Sequence, residues 1–271
     1  MRLAVTHTTR YLFSEPVDHA LQRIRLTPKR TQGQEIIRWD IAVENAAVEL
    51  EYDDQHCNHV LLVSAVAGAR EVVVHCSGEV ATTDHAGVIG RHSGHLPLWS
   101  FLGQTDLTRP GPKIRALARE CMSHGDTLLD RLHALSRLVA ERIAYQTGTT
   151  QVDTTGEEAA AAGSGVCQDH AHAFIGAARA MDVPARYVSG YLMMNDRIDQ
   201  EATHAWAEAH VDGLGWVGFD VSNGISPDPR YIRVATGRDY RDAAPITGIL
   251  FGAMRQDLHV AIAVEQQQTE Q

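Results

Sequence analysis

The chain has no run of 18 apolar residues, so no stretch reads as a membrane-spanning helix. Its opening, MRLAVTHTTRYLF, lacks the unbroken apolar segment of a secretory leader. Lysines and arginines are not clustered, and a net charge of −10 argues against nucleic acid or an anionic membrane as partner. There are only four cysteines, Cys57, Cys76, Cys121 and Cys167, and their spacing matches no zinc-finger pattern. With no leader, the expected compartment is the cytoplasm, where thiols stay free. No EF-hand loop and no internal repeat is visible, and no metal or cofactor is expected.

What is present is an ordinary soluble composition, 44% apolar and 21% charged, in 271 residues, enough for one or two domains. The first hundred residues carry no helical period or cap. Trp39, Ile41 and Val43 alternate, then Val48, Leu50 and Tyr52, with ENAA as the turn; HVLLVSAV and REVVVHCSGEVATT continue the pattern. A β-sandwich or small β-sheet module is expected over 1–100. The segment QHCNH, with His56, Cys57 and His59, reads as a hairpin turn rather than a metal site.

Beyond residue 100 the periodicity changes. Ile114, Leu117, Ala118 and Cys121 follow a Pro-Gly start at helical spacing, and Leu129, Leu132, Leu135 and Leu138 repeat it. Thr155 and Glu158 form a capping-box pair before a short helix that closes at Gly163. A further helix is expected from Val166 to Met181. Period-two strands follow at ARYVSGYLMM, THAWAEAHVD, GWVGFDV, PITGILFGAM and LHVAIAVE. The fold class is therefore α+β: an antiparallel β module over 1–100, a core of helices packed on an antiparallel sheet over 101–265, and a frayed tail over 266–271.

Chemistry concentrates in GVCQDHAHAF. Cys167 falls in the first turn of its helix, where unpaired N–H groups and the helix dipole favour a thiolate. In THAWAEAHVDGLGW, His204, Trp206, Glu208 and His210 share one strand face and the alanines 205, 207 and 209 the other. A hairpin about Gly213 brings Asp220 opposite residues 205 to 207, within a step of His204. Cys167, His204 and Asp220 then make a nucleophile, an acid–base group and an orienting carboxylate. Asp169 is assigned to the helix start or the surface. Trp206, Glu208, His210 and Trp216 read as packing or supporting residues, and GRDYRD at 237–242 as a charged loop.

GSGVCQDHAHAF, VPARYVSGYL, ATHAWAEAHVDGLGWVGFD and YIRVATGRDY closely resemble the bacterial transglutaminase-like proteins, a papain-related superfamily of thiol enzymes. The resemblance covers about residues 100–265, and the first hundred resemble the β module that often precedes that core. It implies Cys167 as nucleophile, His204 as general base and acid, and Asp220 as the orienting carboxylate. Two departures stand out. VSNG follows Asp220 where the family often has a proline-threonine pair. In transglutaminases proper a tryptophan some three dozen residues before the cysteine supplies a second oxyanion donor beside the cysteine N–H. None stands there in this chain, so that donor is unassigned, with Tyr145 and Gln146 as candidates.

The expected activity is acyl transfer from an amide or peptide carbonyl through a Cys167 thioester, hydrolytic in the first instance, with a peptide or protein amide as partner. Transamidation to an amine is the alternative. Two other classes stay open: a non-catalytic binding module that retains the fold, and a zinc hydrolase using Cys167, His170, His172 and His210.

Overall fold

Period-two burial organises the N-terminal part of the chain. The computed structural model describes residues 1–250 and 255–267. Seven strands come first: β1 (Arg2–Val17), β2 (Ala20–Ile24), β3 (Gln34–Glu44), β4 (Ala46–Asp53), β5 (His59–Ala65), β6 (Ala69–Thr82) and β7 (Val88–Gly90). After a 3₁₀ turn at Leu98–Leu102 come α1 (Pro112–Cys121), α2 (Leu128–Arg142), β8 (Ala144–Tyr145), α3 (Gly156–Ala162), β9 (Ser164–Gly165) and α4 (Cys167–Ala180). The chain then runs through β10 (Ala185–Leu192), β11 (Asp199–Gln200), β12 (His204–Val211), β13 (Gly215–Phe219), β14 (Tyr231–Gly237), α5 (Tyr240–Ala243), β15 (Ile246–Leu250) and β16 (Gln256–Gln266). No described helix is long and apolar enough to cross a membrane.

Three antiparallel sheets carry the fold, in the orders β11-β16-β1-β6-β3, β15-β2-β5-β4 and β14-β10-β12-β13-β7. The first two form the sandwich of the N-terminal module, closed by Ile24, Leu61 and Val63 of one sheet against Val74 and Cys76 of the other. The same face of the long strands β1 and β6 continues past the sandwich. There Leu3, Val5 and Val80 pack on Tyr191, Ile232 and Val234 of the core sheet. Helices cover that sheet's other face: Phe174, Ala177 and Ala178 of α4 meet Ala205, Ala207, Ala209 and Phe219. Side chains as small as alanine let helix and strand approach closely.

The module boundaries differ from the expected ones. β15 and β16, placed by the sequence in the core, pair with β2 and β1 of the module, and β7, from the first hundred residues, joins β13 in the core sheet. β16 covers an edge of β1 that would otherwise stand open, which is the physical reason for the return. Gln266 ends β16 and the Gln267 N–H donates to the Arg2 carbonyl, so the tail starts later than expected; 268–271, and residues 251–254 of PITGILFGAM, lie outside the described residues. GRDYRD is not a plain loop either: Asp239 caps the short helix α5 by accepting from the Arg241 N–H.

The helical expectations hold locally. Thr127 with Asp130 and Thr155 with Glu158 both form complete capping boxes, and Gly163 takes φ 74° at the end of α3. QHCNH is the β4–β5 turn, with the Cys57 N–H donating to the Asp54 carbonyl at 2.8 Å. Buried Arg179 anchors α4 by donating to the carbonyls of Phe101, Ala185 and Arg238 and to the Thr108 hydroxyl.

Gly176, inside α4, faces the Thr108 carbonyl oxygen so closely that a Cβ would collide with it. An exposed helical Gly→Ala gains about 1 kcal/mol; overpacking against fixed backbone costs ~1–3 kcal/mol. The collision dominates, so Gly176→Ala lowers stability in urea denaturation; a gain would show that α4 sits further from Thr108.

Candidate active site

The thiol of Cys167 is placed by the start of α4. β8 and β9 pair in parallel, Ala144 with Ser164 and Tyr145 with Gly165, and deliver the chain to the helix. Val166 is the N-cap, and its N–H donates to Asp169 Oδ2 at 2.8 Å. The same oxygen accepts the Thr150 hydroxyl at 2.7 Å. Gly165 is required because a Cβ there would stand 2.8 Å from the Asp169 side chain folded beneath it. Asp169 is fully buried; it serves the helix start and not the surface. Cys167 follows as the first helical residue, half-buried, with a backbone N–H that has no acceptor inside the helix.

His204 arrives from the first position of β12. β12 and β13 pair in the register Ala207–Phe219, Ala209–Val217 and Val211–Gly215, which carries Asp220 alongside the start of β12. The His204 Nε2–H donates to Asp220 Oδ2 at 2.6 Å, which leaves Nδ1 for the sulfur. Asp220 is fully buried and takes three more donors: Tyr231 OH at 2.6 Å and Asn223 Nδ2 at 2.7 Å on Oδ2, and the Asn223 N–H at 3.2 Å on Oδ1. Trp206 stacks with the His204 ring, the centroids 6.2 Å apart.

Electrostatics follow from these contacts. Burial alone would lower the His204 pKa, but the hydrogen bonds and charges of Asp220 and Cys167 raise it to about 10. Burial likewise works against the Asp220 carboxylate, yet His204, Tyr231 and Asn223 hold it below its ordinary value. At neutral pH the imidazolium therefore stands between a buried carboxylate and the sulfur. Asp169 behaves oppositely, because burial outweighs its two hydrogen bonds and raises its pKa.

The cleft holding Cys167 and His204 has a volume of about 640 Å³. Its walls include Tyr145, Tyr187, Met194, Arg197, Glu201 and Tyr240. The β10–β12 connection forms one wall, and its strand β11 pairs with β16, so the N-terminal module braces the cleft. Tyr145 lies on the wall; burial, then the charges of Cys167 and Asp220, raise its pKa, so its hydroxyl stays protonated. The Gln146 N–H is already committed to the Gly165 carbonyl at 2.8 Å, and Gln146 is exposed.

The structure does not gather the four zinc candidates. The His170 Nε2–H donates to the Ile143 carbonyl, and its Nδ1 accepts from Ser222, each at 2.8 Å. His172 Nε2 accepts the Tyr240 N–H, and burial drives the ring's pKa down to about 3. His210 lies at the other end of β12 against Trp216. No group of three or more His, Cys, Asp or Glu suited to a metal occurs among the described residues. Trp216 lies under Arg186, and Glu208 pairs with Arg186 and Arg233.

Tyr231 and Asn223 were missed from sequence. Asn223 had a signal, since DVSNG is a turn whose Asn can reach back to its Asp. Tyr231 had none, because only folding brings β14 beside Asp220.

Residues 115–221, which contain Cys167, His204 and Asp220, match the transglutaminase-like superfamily, and residues 3–81 match the bacterial transglutaminase-like N-terminal region. These two stretches carry the features of the transglutaminase-like superfamily and of its bacterial N-terminal region. An uncharacterized protein of Mycobacterium leprae is 28% identical over 276 residues, covering 97% of this chain and 98% of its own. One of Mycobacterium tuberculosis is 28% identical over 275 residues, covering 92% of this chain and 88% of its own. The crystal structure of a candidate cysteine protease from Cytophaga hutchinsonii superimposes with a TM-score of 0.78 at 22% identity, covering all of this chain and 92% of that one. That likeness is one of fold.

The pair also stabilises the fold, with a defined pH sign. His204, raised from 6.5 to about 10, contributes fully below 6.5 and loses its contribution as pH rises through about 10. Asp220, lowered from 3.8, contributes above that value and loses it as pH falls. Asp220→Asn therefore costs most between 3.8 and 6.5, on the order of 3 kcal/mol for an unpaired buried charge. The deficit shrinks when chemical denaturation is repeated at pH 9; one that grew with pH would contradict this sign.

Proposed function

We propose that the protein is a thiol-dependent hydrolase of amide or peptide bonds, with Cys167 as nucleophile. One observation carries the reading: His204 stands between the Asp220 carboxylate at 2.6 Å and the sulfur at the head of α4. With the Cys167 proton passed to His204 to give a thiolate–imidazolium pair, the sulfur attacks the carbonyl carbon, and the carbonyl electron pair moves to oxygen. The Cys167 N–H and the Tyr145 hydroxyl are the donors offered to that oxyanion. The His204 imidazolium gives its proton to the leaving nitrogen as the C–N bond breaks, leaving a thioester and a neutral imidazole. The imidazole then takes a proton from water. The hydroxide equivalent displaces sulfur, the carboxylic acid departs, and the ion pair is restored.

Asp220 holds the ring with Nε2 protonated and Nδ1 toward the sulfur. Tyr231 and Asn223 support Asp220 and do not touch substrate. Hydrolysis is favoured over transfer to an amine because the cleft wall carries charged side chains, Arg197, Asp199 and Glu201, that keep it hydrated. The reading places the reaction in the cytoplasm, in keeping with four cysteines that are all free.

Incubation with cell extract and a small primary amine, followed by mass spectrometry, tests both halves. The expected result is an acyl adduct on Cys167 and free acid products, both absent from Cys167→Ala. Amine-tagged products in excess of free acid would assign transamidation instead; no adduct and no turnover would favour a binding module. Tyr231→Phe should lower kcat about 10-fold or more through loss of His204 orientation, with KM little changed.

A further inference from the structure

A second cavity, about 920 Å³, opens where the module meets the core and is separate from the Cys167 cleft. It is lined by the β2–β3 connection, the β4–β5 turn and the segment after β7, and by Arg186, Trp216 and Arg233 of the core sheet. Its chemistry runs against the acidic balance of the chain: Lys29, Arg30, Arg91, Arg186 and Arg233 all face it.

The deep charges do not balance. Arg186 donates from Nε to Glu208 Oε2 at 2.6 Å, and Arg233 donates from Nε to Oε1 at 2.6 Å and from Nη2 to Oε2 at 3.0 Å. Two buried guanidiniums thus share one buried carboxylate. Lys29 adds a third basic group; it donates to the His56 and Cys57 carbonyls at 2.8 and 2.6 Å, and when protonated it has one ammonium N–H unspent. Among the described residues, the Nη groups of Arg186 and Nη1 of Arg233 have no acceptor. Arg30 and Arg91 are exposed at the rim. The acids on the wall are Asp53, which faces His59 at 3.3 Å, and Glu35, exposed at the rim; neither reaches the buried guanidiniums that share Glu208. Uncompensated buried positive charge is costly, and a bound anion removes that cost.

We propose that this junction cavity binds a small, multiply charged oxyanion, a phosphate ester or a polycarboxylate, on Arg186, Arg233 and Lys29, with Arg30 and Arg91 at its mouth. Planar guanidiniums match the fork of carboxylate and phosphate oxygens, and Trp216 holds the Arg186 plane 3.8 Å from its ring centroid. Lys29 supplies a specific signature. Burial, then the charges of Arg233 and Arg186, lower its pKa to about 7 against the opposing effects of Cys57 and Asp54; Glu35, Asp53, His56 and His59 also face the cavity. An anion set among these groups raises that pKa, so binding at pH 7.5 takes up protons.

Calorimetry of the full chain with inorganic pyrophosphate and with citrate, in two buffers of different ionisation enthalpy, tests the site. At least one probe is expected to bind saturably with proton uptake, and the tighter of the two identifies the oxyanion source. Arg91→Ala, an exposed position, should weaken binding about 10-fold, and Lys29→Met should do the same and shift the proton count towards release, the remainder coming from the probe and from His56 and His59 on the same wall. Cys167→Ala should bind as the native chain does, which separates this cavity from the catalytic cleft. Absence of binding by both probes up to about 10 mM, or binding indifferent to both Arg91→Ala and Lys29→Met, would overturn the proposal.

Discussion

One imidazole, held by a buried carboxylate on one side and a sulfur on the other, sets the requirements that the rest of the site meets. The carboxylate has to stay charged away from water, which is costly unless its oxygens are filled. Asp220 achieves this with four donors, from His204, Tyr231 and twice from Asn223, drawn from three separate segments. The sulfur has to meet the ring from another element. The start of α4 provides that, fixed by Asp169 beneath Gly165 and by the β8–β9 pair. The alanine face of β12 is what lets α4 lie close enough for the two to meet.

The N-terminal module contributes to the same end. Its long strands pack one face on the partner sheet of the sandwich and, further along, on the core sheet, so module and core share buried surface. The return of the chain through β16 closes the edge of β1 and offers β11 a partner. Through that pairing the wall of the Cys167 cleft is tied to the module. The junction on the other side leaves the cationic cavity beside β12, whose Glu208 lies on the same strand face as His204.

Much of this was legible in the sequence because it is local. The Thr155–Glu158 capping box, the αL glycine at 163, the period of α1 and α2 and the register of the β12–β13 hairpin depend on residues close in the chain, and the structure reproduces each. The α+β class followed from the change of periodicity near residue 100. What could not be read is long-range. β1 buries His7 and Thr9 on its inner face, which obscures its alternation, and their partners include Tyr191 of the core sheet. Nothing near residues 256–266 indicates that they pair with residues 3–13 rather than with the core. Tyr231 reaches Asp220 from across the sheet for the same reason. The zinc alternative rested on histidines close in sequence, and helix geometry turns His170 and His172 toward different partners.

The most direct measurement of the central claim is the rate of alkylation of each cysteine by iodoacetamide at neutral pH, resolved by peptide mapping. Exposed Cys57 serves as the internal reference for an accessible thiol. The account predicts that half-buried Cys167 reacts much faster than Cys57 and that His204→Ala removes the advantage. Equal rates at the two sulfurs in the native protein, or a Cys167 rate unmoved by His204→Ala, would contradict it.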